Sequence, residues 1–154
     1  MLFLILQLGT DRYAIDAAQV MEVLPLVNVK QIPRAPLGIA GVFNHHGAPV
    51  PLIDLAELTL GQQSRKRMST RIVLVNFRGA SDKQHAVGLL AEHATETMRR
   101  SQEDFTEPGV AVTEASYFEG AATDAAGIIQ RIGIQKLLSQ TLGRYLFREQ
   151  TEPV

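Results

Sequence analysis

The chain has 154 residues, of which 45% are hydrophobic and 20% are charged, and this composition is typical of one globular domain or of two small barrels that share a core. Fifteen Lys and Arg residues against sixteen Asp and Glu residues give a formal net charge of −1, so no electrostatic attraction towards nucleic acid or an anionic membrane is expected. The absence of cysteine excludes disulfides, thiolate ligands and thiol nucleophiles, and it is compatible with a reducing cytoplasm.

The first segment is predicted to form a β-hairpin. Residues 2–8 are apolar, but they are far fewer than the ~20 residues of a membrane-spanning helix, and no basic leader precedes them. We therefore interpret them as a buried first strand, which the turn at residues 9–11 joins to a second strand at residues 12–16.

A helix is predicted to follow over residues 17–24. Asp16 and Gln19 match a capping box, and apolar side chains recur at helical spacing until Pro25 ends the pattern. On such a helix Glu22 is expected to lie away from the buried face.

The middle of the chain has the clearest hairpin pattern. Residues 38–44 and 48–54 are short apolar segments joined at residues 45–47, which predicts two strands and a tight turn. Pro49 and Pro51 lack backbone donors and lie two residues apart, so they favour an edge strand or a strand at a barrel corner.

A short helix is predicted after this hairpin. Asp54 and Glu57 fit a capping box for a helix that runs towards Leu60 and ends at Gly61. The two carboxylates could instead form a pair of catalytic acids, but capping accounts for both residues at once and is the preferred interpretation.

The second half is predicted to continue in the same style. Residues 62–68 are polar and basic, which indicates a surface loop. The later elements expected are strands at residues 71–77, 85–91, 95–99, 115–122 and 127–133, and an amphipathic helix from Ile134 to Leu146. Segments 50–61 and 128–138 both run from a strand directly into a helix, and the sequence leaves open whether two related half-domains or chance explains this repeat.

Few residues carry recognisable chemistry. His45 and His46 are the first candidates for a metal or a catalytic base, but neighbours on an extended chain point to opposite faces, so no metal site is predicted unless the turn twists them together. The sequence lacks a nucleophile elbow, a phosphate-binding loop and a dinucleotide fingerprint, so no catalytic residue and no cofactor are predicted. The basic clusters at residues 65–67 and 99–100 are interpreted as solvated surface rather than docking sites.

Several short motifs occur along the chain in an order that resembles the CheW-like domain. They are, in chain order, residues 13–16 (YAID), 20–23 (VMEV), 32–33 (IP), 41–44 (GVFN), Gly47, 50–55 (VPLIDL), 72–75 (IVLV), 87–90 (VGLL) and 136–138 (KLL). The resemblance extends from Phe3 to about Leu138, and its central part contains the structural residues Gly41, Gly47 and Asp54.

This resemblance implies both a fold and a role. The fold is mainly β, with two small five-stranded Src-homology-type β-barrels that share a core, short helices and a C-terminal helix; residues 1–148 form this single domain and residues 149–154 form a polar tail. The role is that of a non-enzymatic cytoplasmic adaptor between the cytoplasmic tips of methyl-accepting chemoreceptors and the regulatory domain of a CheA-like histidine kinase. Such adaptors lie in receptor arrays and meet the membrane only through the receptors. Self-association of the adaptor is left open.

The same resemblance assigns residues to partner binding. By position, Val20 lines the receptor-binding groove, although plain core is an equally good interpretation of its apolar side chain. Glu22 and Val23 are placed on the partner-binding surface, and Asn44 and His46 lie at the signature turn.

His46 departs from the family pattern, which has arginine at this position. Arginine carries a permanent charge, whereas histidine is shorter and usually neutral near pH 7. Two further positions also depart from the family pattern. The family usually has an acidic or amide residue where this chain has Gly133, and an aspartate where it has Glu92. The departures predict a divergent branch, namely an accessory adaptor that controls surface behaviour rather than swimming.

Two other classes of function compete with the adaptor. A small barrel that binds a small ligand or RNA would be expected to carry a basic face with exposed aromatic residues, which a near-neutral chain with 6% aromatic residues does not indicate. A hydrolase would need convergent acids, or a nucleophile with a base, and no spacing in the sequence predicts such a cleft.

Overall fold

Strands form most of the chain in the computed structural model, which describes residues 1–79 and 83–147. The strands are β1 (Leu2–Leu8), β2 (Asp11–Asp16), β3 (Val20–Pro25), β4 (Ile39–His45), β5 (Ala48–Asp54), β6 (Thr70–Arg78), β7 (Gln84–Arg99), β8 (Phe118–Asp124) and β9 (Gly127–Ile132). The helices are α1 (Leu55–Leu60) and α2 (Ile134–Leu142), and short 3-10 turns occur at Ala17–Gln19, Gln102–Asp104 and Thr113–Ala115.

One long strand, β7, organises the sheet. Its first half pairs antiparallel with β6 and, at residues 88–90, parallel with β5, whereas its second half pairs antiparallel with β1. The change of partner falls at Glu92, which lies opposite both Thr70 of β6 and Gln7 of β1. Because β7 contributes to both sides, the nine strands form a first lobe (β3, β4, β5, β6 and the first half of β7) and a second lobe (β1, β2, β8, β9 and the second half of β7).

In each lobe, one isolated β-bridge pairs a segment outside the strands with a strand of the same lobe. In the first lobe Lys30, which follows β3, exchanges two backbone hydrogen bonds of 2.8 Å with Val42 of β4. In the second lobe Thr106, which follows β7, exchanges bonds of 3.0 and 2.9 Å with Ala121 of β8. The predicted mainly β fold with two five-stranded barrels is confirmed.

A glycine lies immediately before the bridged residue in both lobes. Gly41 has a φ of 148°, and a β-carbon there would clash with the carbonyl oxygen of Lys30. Gly120 has a φ of 101°, and a β-carbon there would lie 3.0 Å from the carbonyl carbon of Phe105. The close approach of two backbones therefore requires glycine at both bridges.

The two lobes also share a repeated chain order. In each lobe an antiparallel hairpin is followed by a helix, β4–β5–α1 in the first and β8–β9–α2 in the second. The last strand of each hairpin makes a parallel pairing within its own lobe, β5 with β7 and β9 with β2. This equivalence supports the interpretation of the sequence repeat as two related half-domains.

The core is continuous across the lobes, as predicted. Side chains from both lobes and from α2 form one large buried cluster, and each lobe adds a smaller cluster of its own. Strand β6 shows how they are connected: Val73 and Val75 enter the shared cluster, whereas Ile72 and Leu74 enter the first-lobe cluster. Alternate side chains of a strand point to opposite faces, so an apolar run without alternation indicates a strand buried on both faces.

The helix predicted over residues 17–24 is wrong. Asp16 caps only the 3-10 turn, where its carboxylate accepts a bond of 2.9 Å from the backbone N–H of Ala18, and the chain then enters β3. The four-residue spacing of Val20 and Leu24 suits one face of a helix, but pairing with β6 makes this segment a strand, and its bulge turns the two side chains to opposite faces.

Three later boundaries also differ from the prediction. Residues 95–99 belong to the continuous β7 instead of forming a further strand, and β8 begins only at Phe118. Helix α2 ends at Leu142, with Gly143 as its C-cap, although Leu146 is still buried. The predicted polar tail, residues 149–154, lies outside the described residues.

The predicted hairpins are confirmed: β1 pairs with β2, β4 with β5, and β6 with β7. The segment of β5 that carries Pro49 and Pro51 pairs with β4, and the pairing with β7 begins only at Leu52. Both prolines therefore lie outside the part of β5 that pairs with two strands, where a missing backbone N–H would cost a hydrogen bond. Among the described residues, no helix is long and apolar enough to cross a membrane.

Candidate functional site

The signature turn, residues 44–47, is a tight two-residue hairpin turn. His45 pairs with Ala48, and both residues between them have positive φ, 51° at His46 and 85° at Gly47. Two positive φ values in a two-residue loop are the mark of a type I′ turn. The side chain of Asn44 fixes it by accepting a hydrogen bond of 2.8 Å from the backbone N–H of Gly47.

Glu22 of β3 approaches this turn. A carboxylate oxygen of Glu22 and one ring nitrogen each of His45 and His46 lie within 4.8 Å of one another. The two imidazole rings have centroids 4.2 Å apart and are inclined at 62°. Glu22 and His46 are exposed and His45 is half-buried. We call these three side chains the Glu-His-His cluster.

The two histidines were expected to diverge unless the turn twists them together, and the structure shows that exception. Divergence assumes an extended backbone, whereas His46 takes a left-handed conformation that folds its ring back beside that of His45. The sequence did contain a signal for this geometry, since Gly47 at the second position of a two-residue hairpin loop favours a turn with positive φ.

The register of β3 explains how Glu22 reaches the cluster. A bulge between Val20 and Glu22 places Glu22 opposite Leu74 and Leu24 opposite Ile72, on the side of the first-lobe cluster. On the facing hairpin, the ring of His45 lies 6.4 Å from that of Phe43, which belongs to the same buried cluster. The Glu-His-His cluster thus caps one end of the first lobe.

Val20 and Val23 lie on the other side of β3. The bulge pairs them with Val75 and Val73, which face the shared core. Val20 is half-buried and packs against that core, whereas Val23 is 36% exposed. The structure therefore brings Glu22, Asn44 and His46 together at the turn and separates them from the two valines.

An apolar hollow lies between the lobes. It has a volume of about 310 Å³ and is lined by Leu60 of α1, Tyr13 of β2, and Val110 and Val112 of the segment before β8, among others. Val110 and Val112 are 64% and 52% exposed, which is unusual for neighbouring valines. Sequence reasoning missed this surface because residues 109–112 lie outside any regular element.

The candidate acid pair, Asp54 and Glu57, is occupied by structural hydrogen bonds. The buried Asp54 carboxylate accepts bonds from the backbone N–H of Glu57 (3.3 Å) and from the backbone N–H and hydroxyl of Ser64 (2.8 and 2.7 Å). The Glu57 carboxylate accepts a bond of 2.9 Å from the backbone N–H of Gly38. The predicted Asp54 N-cap is confirmed, and Gly61 ends α1 with a φ of 74°, as predicted. The reciprocal half of the capping box is not formed, because Glu57 accepts from Gly38 and the Asp54 N–H donates to the Gly38 carbonyl oxygen.

The clearest electrostatic contact lies in the second lobe, away from the turn. The Arg12 guanidinium donates to both carboxylate oxygens of Asp124, at 2.5 and 3.0 Å, and so ties β2 to the β8–β9 turn. This bond, helped by the backbone N–H of Ala126, lowers the pKa of Asp124 to about 2.

Comparisons with known proteins gave matches over most of the chain. The family model described as "CheW-like domain" matches residues 2–142. A chemotaxis protein CheW from Klebsiella aerogenes is 31% identical over 139 residues, covering 89% of this chain and 81% of the relative. A chemotaxis protein CheW from Treponema pallidum is 28% identical over 141 residues, covering 86% and 79%. The crystal structure of the scaffolding protein TtCheW from Thermoanaerobacter tengcongensis superposes with a TM-score of 0.76 and 26% identity, covering 89% of this chain and 86% of the other.

Proposed function

Because the chain belongs to the CheW-like domain family, we propose that it is a non-enzymatic adaptor that couples methyl-accepting chemoreceptors to a CheA-like histidine kinase in bacterial chemotaxis-type signal transduction. The observation that carries the proposal is the family match over residues 2–142, which includes every strand of both lobes. An adaptor acts by presenting two binding surfaces at once, so its chemistry lies in exposed side chains.

A role without catalysis agrees with how Asp54, Glu57 and Asp124 are used. The carboxylates of Asp54 and Glu57 are engaged by backbone donors, and Asp124 is engaged by Arg12. A catalytic acid or base needs a lone pair or proton that the substrate can reach, and these contacts leave little room for one.

The kinase regulatory domain is proposed to bind at the signature turn. Glu22 and His46 are exposed there and polar, and Asn44 holds the turn in one conformation. A rigid turn loses little conformational entropy on binding, which favours a small, specific contact. Val23, which the family resemblance also assigns to partner binding, is 36% exposed on the opposite face of β3, so it is proposed to contact a partner separately from the turn.

The receptor tip is proposed to bind the apolar surface between the lobes. A receptor tip is a helical hairpin, and an amphipathic helix is held by an apolar groove with a polar rim. The hollow around Leu60, Val110 and Val112 has this character. Val20, which the family resemblance assigns to the groove, does not line this hollow and packs against the shared core instead. The adaptor is proposed to act in the cytoplasm, at arrays of membrane receptors.

We also propose a divergent, accessory pathway that controls surface behaviour instead of swimming. His46 supports it, because an imidazole cannot reproduce the bidentate contacts of the family arginine. The test is complementation of a strain that lacks its standard adaptor: this chain should not restore swimming, and the His46→Arg variant should restore it better. Full restoration by the unchanged chain would contradict the accessory role.

The kinase contact is tested by calorimetric titration of the chain with the regulatory domain of a CheA-like kinase from the same genome. Glu22→Arg should weaken binding tenfold or more, about 1.4 kcal/mol, because it reverses an exposed charge within the proposed contact. Glu96→Arg is the matched control, since Glu96 is also exposed on a strand but belongs to the second lobe. Equal binding by the two variants would reject the signature turn as the kinase site.

A further inference from the structure

We propose that the Glu-His-His cluster binds a divalent transition-metal ion such as Zn²⁺. The three ligands come from two separate elements, Glu22 from β3 and the two histidines from the β4–β5 turn. This site goes beyond the adaptor role and does not depend on it, because metal binding is a property of the isolated chain.

The spacing of the ligand atoms fits a metal with small adjustments. The atoms lie within 4.8 Å of one another, and ligands at 2.0–2.1 Å from a tetrahedral ion are about 3.3 Å apart. Glu22 is exposed and has three rotatable side-chain bonds, so its carboxylate can move inward by the distance required. The two imidazole rings can approach each other by rotation about their own side-chain bonds.

The backbone that carries the two histidines is already held in place. His46 has the left-handed φ of the type I′ turn, and the Asn44 side chain fixes that turn through the N–H of Gly47. His45 lies with its ring near the edge of the buried Phe43 ring. A site whose ligands are positioned before binding loses less entropy when the ion enters.

The ligands also lack competing partners. Within residues 1–79 and 83–147, the side chains of Glu22, His45 and His46 make no hydrogen bond or ion pair with another residue, so no protein contact has to be broken when they coordinate an ion. Two imidazoles and one carboxylate form the donor set of many three-ligand zinc sites, with a fourth position left for water. Calcium and magnesium prefer oxygen ligands, so the cluster selects against them.

The test is titration of the untagged protein with ZnCl₂ by isothermal calorimetry, with His46→Asn and His93→Asn as the paired variants. Both histidines are exposed and have nearly equal left-handed φ values, 51° and 52°, and asparagine tolerates that conformation. The wild type should bind one Zn²⁺ per chain. His46→Asn should bind at least tenfold more weakly, whereas His93→Asn should bind as tightly as the wild type.

Glu22→Gln provides a second variant that leaves the turn untouched. It should also weaken binding about tenfold, because a neutral amide is a poor zinc ligand. In nuclear magnetic resonance spectra, Zn²⁺ should shift the amide signals of residues 22 and 44–47 in the wild type. The site is overturned if the wild type shows no saturable binding up to about 1 mM Zn²⁺, or if His46→Asn and Glu22→Gln both bind as tightly as the wild type.

Discussion

Gly41 packs against the backbone of Lys30 so closely that no side chain can be accommodated between them. The two segments meet at the bridge that closes the first lobe, where Val42 and Lys30 exchange backbone hydrogen bonds. A β-carbon at Gly41 would meet the Lys30 carbonyl oxygen and a methyl group of Val29, and the φ of 148° is unfavourable for any other residue. The closure of this lobe therefore depends on one glycine.

We expect Gly41→Ala to lower the free energy of unfolding by about 2–4 kcal/mol, because strain and a backbone clash add together. Urea unfolding followed by circular dichroism measures the loss. The matched control is Gly61→Ala, where φ is also positive at 74° but the β-carbon would enter open space. That variant should lose only about 1–2 kcal/mol, and equal losses at both positions would contradict the clash.

The two aspartate caps are predicted to differ in strength. Asp54→Ala leaves the partly buried N–H groups of Glu57 and Ser64 without their acceptor, so it should destabilise the protein by about 2–3 kcal/mol. Asp16→Ala removes one exposed bond to Ala18 at a three-residue turn and should cost about 0.5–1 kcal/mol. Thermal or urea unfolding of the two variants measures the difference, and the reverse order would refute the assigned roles.

The Arg12–Asp124 bond predicts that the stability of the fold depends on pH in the acid range. The folded pKa of Asp124 is lowered to about 2 from 3.8, so its ionised form is favoured by folding. Its contribution is present above about pH 4 and is lost as the pH falls towards 2. The difference in urea midpoint between wild type and Asp124→Asn should therefore shrink across this range.

Carbon-13 titration of the Asp124 carboxyl provides a direct check. The midpoint should lie near pH 2 in the wild type and should rise towards the ordinary range in Arg12→Ala, because the guanidinium bond is the largest cause of the shift. A midpoint that does not move in Arg12→Ala would mean that Arg12 does not hold this carboxyl in solution.

The two proposed binding surfaces should be separable by mutation. Val112→Asp places a charge in the apolar hollow and should weaken binding of a receptor-tip hairpin tenfold or more without changing kinase binding. Glu22→Arg should weaken binding of the kinase regulatory domain without changing binding of the receptor-tip hairpin. Calorimetric titration of each variant with each partner measures the four affinities, and a variant that weakened both equally would indicate one shared surface.

Much of the fold could be predicted from local sequence chemistry. The β4–β5 hairpin followed from its glycines and prolines, and the α1 cap followed from Asp54 and Gly61, because each signal acts within a few residues. The β3 strand could not be predicted, since the apolar spacing of Val20 and Leu24 suits a helix, and distant pairing with β6 decided the outcome.

The candidate site could likewise be predicted only in part. Sequence resemblance assigned Glu22 and His46 separately, but their approach depends on a bulge in β3 and a left-handed residue in the turn. The extent of β7, with its change of partner at Glu92, likewise depends on how the lobes pack. Such relationships are set by contacts between segments far apart in the chain, which periodicity within one segment does not report.

The most direct test of the adaptor is a three-component recruitment experiment. Receptor-tip hairpins are immobilised, and capture of the kinase regulatory domain is measured with and without this chain. We predict capture only when the chain is present, reduced at least tenfold with Glu22→Arg and unchanged with Glu96→Arg. No capture in the presence of the folded wild-type chain would contradict the proposed coupling of receptor to kinase.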